Sequence, residues 1–204
     1  MIKVLGAVSL ACGILIVATQ ITTLGRIAHN KEILLRESIE QLLPGMHKQI
    51  TYGIEPSGDL KILPGLEGKG HRFFAGYDAS GNFLGIVIEA GDRGYADVIS
   101  AMYSYNPDRR TITGFQVVAM RETPGLGDKI RSDPGFLANF KNLEAEPDHP
   151  ITTVKHGTKR NPWEIDAISG ATISSRAVGR ALETSVQIVT PIIARNLDRI
   201  KRGI

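Results

Sequence analysis

The segment "VLGAVSLACGILIVATQITTL", Val4 to Leu24, constrains this chain more than any other. It runs for 21 residues without a charge, with Lys3 before it and Arg26 after it. About 20 helical residues rising 1.5 Å each cross the hydrocarbon of a bilayer. Residues 1–25 are therefore expected to form one transmembrane helix that stays on the protein. A cleaved signal peptide is the alternative, but the run is long for one, and the small-x-small site around Val17-Ala18-Thr19 is poorly formed. A lipid anchor would use Cys12, yet Ser9 stands where such an anchor has an aliphatic residue. Charge leaves the orientation open. Lys3 precedes the span, and Arg26, Lys31 and Arg36 follow it among Glu32, Glu37 and Glu40.

The 204 residues, 42% hydrophobic, leave room for one further domain with a real core. The net charge of +3 comes from scattered basic residues, which argues against a nucleic-acid partner. Cys12 is the only cysteine, which excludes internal disulfides, cysteine-ligated iron–sulfur clusters and a C-x-x-C-H haem attachment. The five histidines, His29, His47, His71, His149 and His156, show no close ligand spacing, so no metal site is expected. No G-x-G-x-x-G follows a strand-like run, which removes the usual nicotinamide fingerprint.

Beyond the span, residues 30–44 read as an amphipathic helix with Ile33, Leu34, Ile39, Leu42 and Leu43 on its apolar stripe and Pro44 as its stop. Residues 51–70 carry Gly53, Pro56, Gly58, Pro64, Gly65, Gly68 and Gly70 and read as mostly loop with short extended pieces. Residues 26–70 are thus a helix and linker, and 71–204 the functional domain. Two hairpin-like units follow, 72–90 around Asp78-Ala79-Ser80-Gly81-Asn82 and 99–120 around Asn106-Pro107-Asp108. Their second strands align, Phe83-Leu84-Gly85-Ile86 with Ile112-Thr113-Gly114-Phe115, as in a weak internal duplication. Gly85 and Gly114 would mark a bulge or a close backbone approach. Residues 134–142 read as a short helix and 149–168 as extended or loop, with Trp163 as a core residue. A final helix from Ile173 to about Asn196 carries apolar residues three or four apart. The fold class is therefore α+β: an antiparallel sheet of at least four strands, built from hairpins and packed by a long C-terminal helix.

Two stretches are candidates for chemistry. "ETPGLGDKI", 122–130, is too rich in proline and glycine for regular structure. Asp166-Ala167-Ile168-Ser169-Gly170-Ala171-Thr172 ends an extended segment and opens the final helix. A helix N-terminus presents unpaired N–H groups and a partial positive charge, which suits phosphate. A phosphoester on the Thr172 hydroxyl would put negative charge where the helix favours it. On the residues alone, an ordinary cap by Ser169 or Thr172 is the favoured reading of the second stretch, and an ordinary Pro-Gly turn that of the first. The connection "GDRGYADV", 91–98, which holds Gly94-Tyr95-Ala96-Asp97, is glycine-rich enough to approach a ligand.

Together the two stretches carry a resemblance. Asp166-x-x-Ser169-Gly170-Ala171-Thr172 resembles the flavinylation motif of the FMN-binding domain in membrane redox subunits of the Rnf and Na+-translocating NADH:quinone reductase complexes. "ETPGLGDKI" resembles the second signature of that domain, about 45 residues earlier and after an N-terminal span, in the family's order. The chain's length resembles that of the Rnf G subunit more than that of the longer C subunit of the quinone reductase. The resemblance implies FMN joined through its phosphate to the Thr172 hydroxyl, by a flavin transferase that uses FAD and Mg2+ outside the cytoplasmic membrane. It implies a single-pass protein of the cytoplasmic (inner) membrane with its domain on the periplasmic side. Ser169, Gly170 and Ala171 would shape the phosphate site; Asp166 would support attachment or equally cap or brace the loop, and Ser174 and Ser175 would be solvated or else donate to the phosphate. Glu122, Thr123, Gly125, Leu126 and Gly127 would lie along the flavin, and Lys129 could stabilise its reduced anion. The protein would then be an electron-carrying subunit among other membrane subunits rather than a stand-alone enzyme, in a complex coupling ferredoxin and NAD+ to H+ or Na+ transport. Two other readings stay open at this point: a flavinylated subunit of another quinone-linked or extracellular redox system, and a membrane-anchored binding module without redox chemistry.

Overall fold

The computed structural model of the protein describes residues 1–66 and 70–203. Gly68, read above as part of a loop, lies outside the described residues. The chain divides into two compact units, Met1–Arg36 and Glu37–Ile204.

The first unit lies within a single helix, α1 (Ile2–Leu42), which also supplies the opening residues of the second. It is the one helix among the described residues long and apolar enough to cross a bilayer. Its hydroxyls are satisfied locally. Thr19 Oγ1 donates to the Leu15 carbonyl at 2.7 Å, Thr22 to Ala18 at 2.9 Å and Thr23 to Thr19 at 2.7 Å. Such back-bonding lets threonine sit in apolar surroundings without a stranded donor. The amphipathic stretch after residue 30 continues the same helix, which ends just before Pro44.

In the second unit, seven described strands form one antiparallel sheet: β1 (Lys48–Ile54), β2 (Leu60–Leu63), β3 (Arg72–Tyr77), β4 (Phe83–Arg93), β5 (Val98–Asn106), β6 (Thr111–Ala119) and β7 (Leu143–Glu144). Their order is β2-β1-β3-β4-β5-β6-β7. A separate parallel pair, β8 (Thr152–Val154) with β9 (Glu164–Asp166), runs into the long final helix. Between β6 and β7 lie a 3-10 turn, Gly127–Arg131, and the short helix α2 (Pro134–Ala138), capped by Asp133 Oδ1 accepting from the Phe136 N–H. The last helix, α3, spans Thr172–Lys201 and continues through Pro191.

Both expected hairpins form, and the duplication extends to their irregularities. Gly76 pairs with Gly85 and Tyr77 with Phe83, so Leu84 is the extra residue of one bulge. Ser104 pairs with Gly114 and Tyr105 with Ile112, so Thr113 is extra at the aligned position of the other. One sheet face then packs on α3. Tyr103, Ile86, Ile88, Leu182, Val186, Val189 and Ile193 are all buried there. Each such aliphatic side chain contributes about 1.5–3 kcal/mol. Tyr103 and Ser185 share a hydrogen bond of 2.9 Å inside this layer, which satisfies a phenol whose burial pushes its ionisation upward. The opposite face is kept shallow by Gly85 and Gly114. A Cβ on either would lie 3.0 Å from Leu43 or Leu42 at the end of α1. These glycines serve a close approach, as their place in the sequence suggests.

Residues 48–63 are more ordered than their composition predicts. The short extended pieces read within 51–70 are β1 and β2, which extend the main sheet. Tyr52 of β1 stacks on Phe73 of β3 with ring centres 5.3 Å apart, and Gly53 lies under the Leu63 side chain. The compact unit therefore begins at Glu37 and takes in part of the segment read as linker. Trp163 also differs from expectation. It is half-buried rather than in the core, and it stacks on His149 at 4.6 Å.

Candidate functional site

The loop from β9 into α3 is pinned by its apolar members. Ala167, Ile168 and Ala171 are buried, while Ser169, Gly170 and Thr172 remain exposed. Ser175, fully buried, holds the loop from inside. Its hydroxyl accepts from the Ile168 N–H at 3.1 Å and donates to the Ala171 carbonyl at 3.0 Å. Gly170 adopts φ +82°, a conformation that favours glycine, and so turns the chain into the helix. The N-cap is Ala171, and among the described residues no side chain caps this end. The ordinary cap that the sequence allowed is thus not made. Thr172 is the first helical residue, with its hydroxyl at the surface beside the uncapped N–H groups of the first turn.

The 122–127 loop meets this helix start. Leu126 lies beside Gly170, its Cδ2 3.7 Å from where a Cβ would stand. Glu122 is buried and bridges two other segments. Its Oε2 accepts from Ser174 Oγ at 2.6 Å, and its Oε1 accepts from the Ala96 N–H at 3.2 Å. Gly127 makes room for this bridge. A Cβ there would stand 2.7 Å from both Glu122 Oε2 and Ser174 Oγ. A second strap holds the same corner, with Arg180 of α3 donating from Nε to Asp92 Oδ2 at 2.6 Å and from Nη2 to the Arg93 carbonyl at 3.1 Å.

These segments enclose a cleft of about 470 Å³. Glu122, Thr123, Leu126, Gly127, Gly170, Ala171 and Thr172, from the two sequence motifs, line it together. Gly125, at φ +75°, is outside the lining. Asp166 and Ser169 face elsewhere, into a neighbouring cleft of about 260 Å³ that also holds Lys129 and His156. There Asp166 Oδ1 accepts from the Gly157 N–H at 2.7 Å, and Oδ2 lies 3.6 Å from His156 Nδ1. The Asp166 backbone is fixed on both sides by buried Asn139, whose Oδ1 accepts from its N–H and whose Nδ2 donates to its carbonyl. Ser174 and Ser175 are buried, not solvated, and have internal partners, Glu122 and the 168–171 loop.

Ile173 lines the cleft without having been expected there, and so does Tyr95 of the connection read as able to approach a ligand. Tyr95 is 67% exposed, and Leu126 and Ile173 beside it are also exposed. An aromatic residue in a glycine-led connection was the available signal. The arrangement combines a hydroxyl at an uncapped helix N-terminus with exposed apolar walls. That donor set fits a ligand with an anionic phosphate at one end and a flat conjugated ring at the other.

Residues 94–187 match the FMN-binding domain. Every residue lining the cleft, from Tyr95 to Ser174, falls inside the matched segment. The chain is 41% identical over 118 residues to the G subunit of the ion-translocating oxidoreductase complex of Methanosarcina acetivorans, covering 58% of each protein. It is 32% identical over 111 residues to the G subunit of the Na(+)-translocating ferredoxin:NAD(+) oxidoreductase complex of Acetobacterium woodii, covering 54% of this chain and 51% of that one. The chain spans about half the length of the curated relatives it matches. Its fold is that of NqrC from Shewanella oneidensis, with a TM-score of 0.64 at 20% identity over 84% of this chain and 99% of that one. The C subunit of the Na(+)-translocating NADH-quinone reductase from Parabacteroides distasonis is similar, with a TM-score of 0.62 at 19% identity over 82% of this chain and 96% of that one. The α+β architecture and the resemblance to the FMN-binding domain therefore stand as expected from the motifs.

Proposed function

We propose that the chain is an electron-carrying subunit of a membrane-bound, ion-translocating redox complex of the Rnf type, holding FMN through a phosphoester to Thr172. The observation that carries this reading is the single cleft where two distant motifs meet at an exposed threonine on an uncapped helix start. The match of residues 94–187 to the FMN-binding domain, and the names borne by the relatives, support it.

In this reading the cofactor supplies the reversible electron chemistry, and the protein supplies position and electrostatics. Attachment would be run by a flavin transferase with FAD as donor: a bond from the Thr172 oxygen to the FMN phosphorus would form, the FAD pyrophosphate bond would break, and AMP and the hydroxyl proton would leave. The first-turn N–H groups of α3 and the positive end of its dipole then offset the phosphate charge. Gly170 admits the phosphate close to the backbone. Leu126, Tyr95 and Ile173 give the ring apolar cover. Covalent tethering suits a carrier that passes electrons repeatedly and must not lose its flavin. Helix α1 anchors the chain in the cytoplasmic membrane by a single span, with the domain on the periplasmic side. Other membrane subunits contact the span and one face of the domain.

The test is expression of the full chain with and without a flavin transferase, followed by denaturing electrophoresis. Co-expression should give an in-gel flavin fluorescence that Thr172→Ala abolishes. A fluorescent Thr172→Ala band, or a dark wild-type band under co-expression, contradicts the assignment.

A further inference from the structure

We propose that Glu122 is a positioning residue that, by bridging Ala96 and Ser174, holds Tyr95 as the aromatic wall against which the flavin ring packs. This rests on the FMN reading given above. Both Glu122 oxygens have protein partners, Oε1 accepting from the Ala96 N–H and Oε2 from Ser174 Oγ. The two partners belong to different elements, the β4–β5 connection and the first turn of α3. The carboxylate is also wedged between two glycines. A Cβ at Gly94 would stand 2.4 Å from Oε1, and one at Gly127 would stand 2.7 Å from Oε2.

Among the described residues the 94–97 turn is closed on itself by the Gly94 N–H donating to the Asp97 carbonyl at 2.8 Å, and Asp97 Oδ2 lies 3.9 Å from Arg121 Nε, a long and exposed ion pair. The Arg180 strap grips the end of β4 at Asp92 and Arg93, one step before the turn. The part-buried Glu122–Ala96 hydrogen bond is the tie next to Tyr95 itself, and the exposed Arg121–Asp97 pair is the weaker one. Tyr95 lines the cleft and yet leaves 67% of its surface uncovered. A large aromatic ring on a braced turn, exposed toward a cleft, is arranged to be covered by a flat partner.

The full chain in detergent, unloaded or flavin-loaded, tests this through Glu122→Ala, Glu122→Gln, Tyr95→Ala and Ser174→Ala. In the unloaded protein, Glu122→Ala should speed hydrogen exchange at the Ala96 amide about tenfold or more as the turn opens locally. Tyr95→Ala should leave that exchange unchanged. In the loaded protein both substitutions should raise flavin emission, because a tyrosine held against the ring quenches it. Glu122→Gln can still accept from Ala96 and hydrogen-bond Ser174, so it should restore the wild-type exchange and emission. Unchanged Ala96 exchange in Glu122→Ala overturns the bridge, and unchanged emission in Tyr95→Ala overturns the wall. If Glu122→Ala does not fold, Ser174→Ala removes one arm of the bridge and must then speed Ala96 exchange, or the bridge fails. A wild-type chain that never takes up flavin refutes the cofactor reading and the wall with it, while exchange in the unloaded protein decides the bridge separately.

Discussion

At the scale of single residues, the site depends on which hydroxyls are used internally and which are left at the surface. Ser174 and Ser175 look like Thr172 in the sequence, and only their burial sets them apart. Ser175 closes the 168–171 loop with two hydrogen bonds, so Ser175→Ala should cost about 1–3 kcal/mol, as expected when a buried N–H loses its partner. Chemical denaturation would measure it, and a loss below a few tenths of a kcal/mol would deny the loop that support. His149 offers a pH test away from the cleft. Its Nδ1 lies 2.5 Å from Glu144 Oε1, and this hydrogen bond holds its titration above the ordinary histidine value. A raised folded-state value means that any stabilisation is complete below the unfolded histidine value and is lost as pH rises through the folded one. Proton NMR should show His149 titrating high and returning toward the ordinary value in Glu144→Gln. A titration that ignores the substitution contradicts the pairing. The sequence made Thr172 legible because its neighbours form a motif. Glu122's bridge and Asn139's grip on Asp166 were not legible, because their partners are far away in the chain.

At the scale of elements, alternation and turn chemistry exposed the two hairpins, and their matched glycines marked where the end of α1 approaches. β1 and β2 were legible only as short extended pieces because glycine and proline dominate their segment, and pairing with β3 overrides those local preferences. The same competition between local and tertiary terms occurs in α3 at Gly179. Alanine should gain there about 1 kcal/mol in helix propensity. However, a Cβ would stand 2.0 Å from Thr153 Oγ1 of β8. Overpacking of this kind costs about 1–3 kcal/mol, so Gly179→Ala should destabilise on balance. The double variant with Thr153→Ala should recover most of the loss. Thermal melts of the two variants check this, and a stabilised Gly179→Ala would show that the helix does not sit this close to β8.

At the scale of the whole molecule, the chain joins an apolar helical segment to a compact unit that contains the whole cleft. Residues 37–204 alone should fold and remain in the aqueous phase of a detergent partition, with the full chain going to the detergent phase. A fragment that follows the full chain into detergent would mean that the membrane affinity is not confined to the N-terminal segment. The apolar run was the easiest feature to read, since 21 uncharged residues need no tertiary information. The central claim concerns one oxygen atom, and mass spectrometry addresses it directly. Trypsin cutting after Arg160 and Arg176 releases residues 161–176, which contain Thr172. From protein made with a flavin transferase, that peptide should carry the mass of FMN less one water, and fragmentation should localise it to Thr172. A peptide of bare polypeptide mass, or a flavin localised to Ser169, Ser174 or Ser175, would contradict the account.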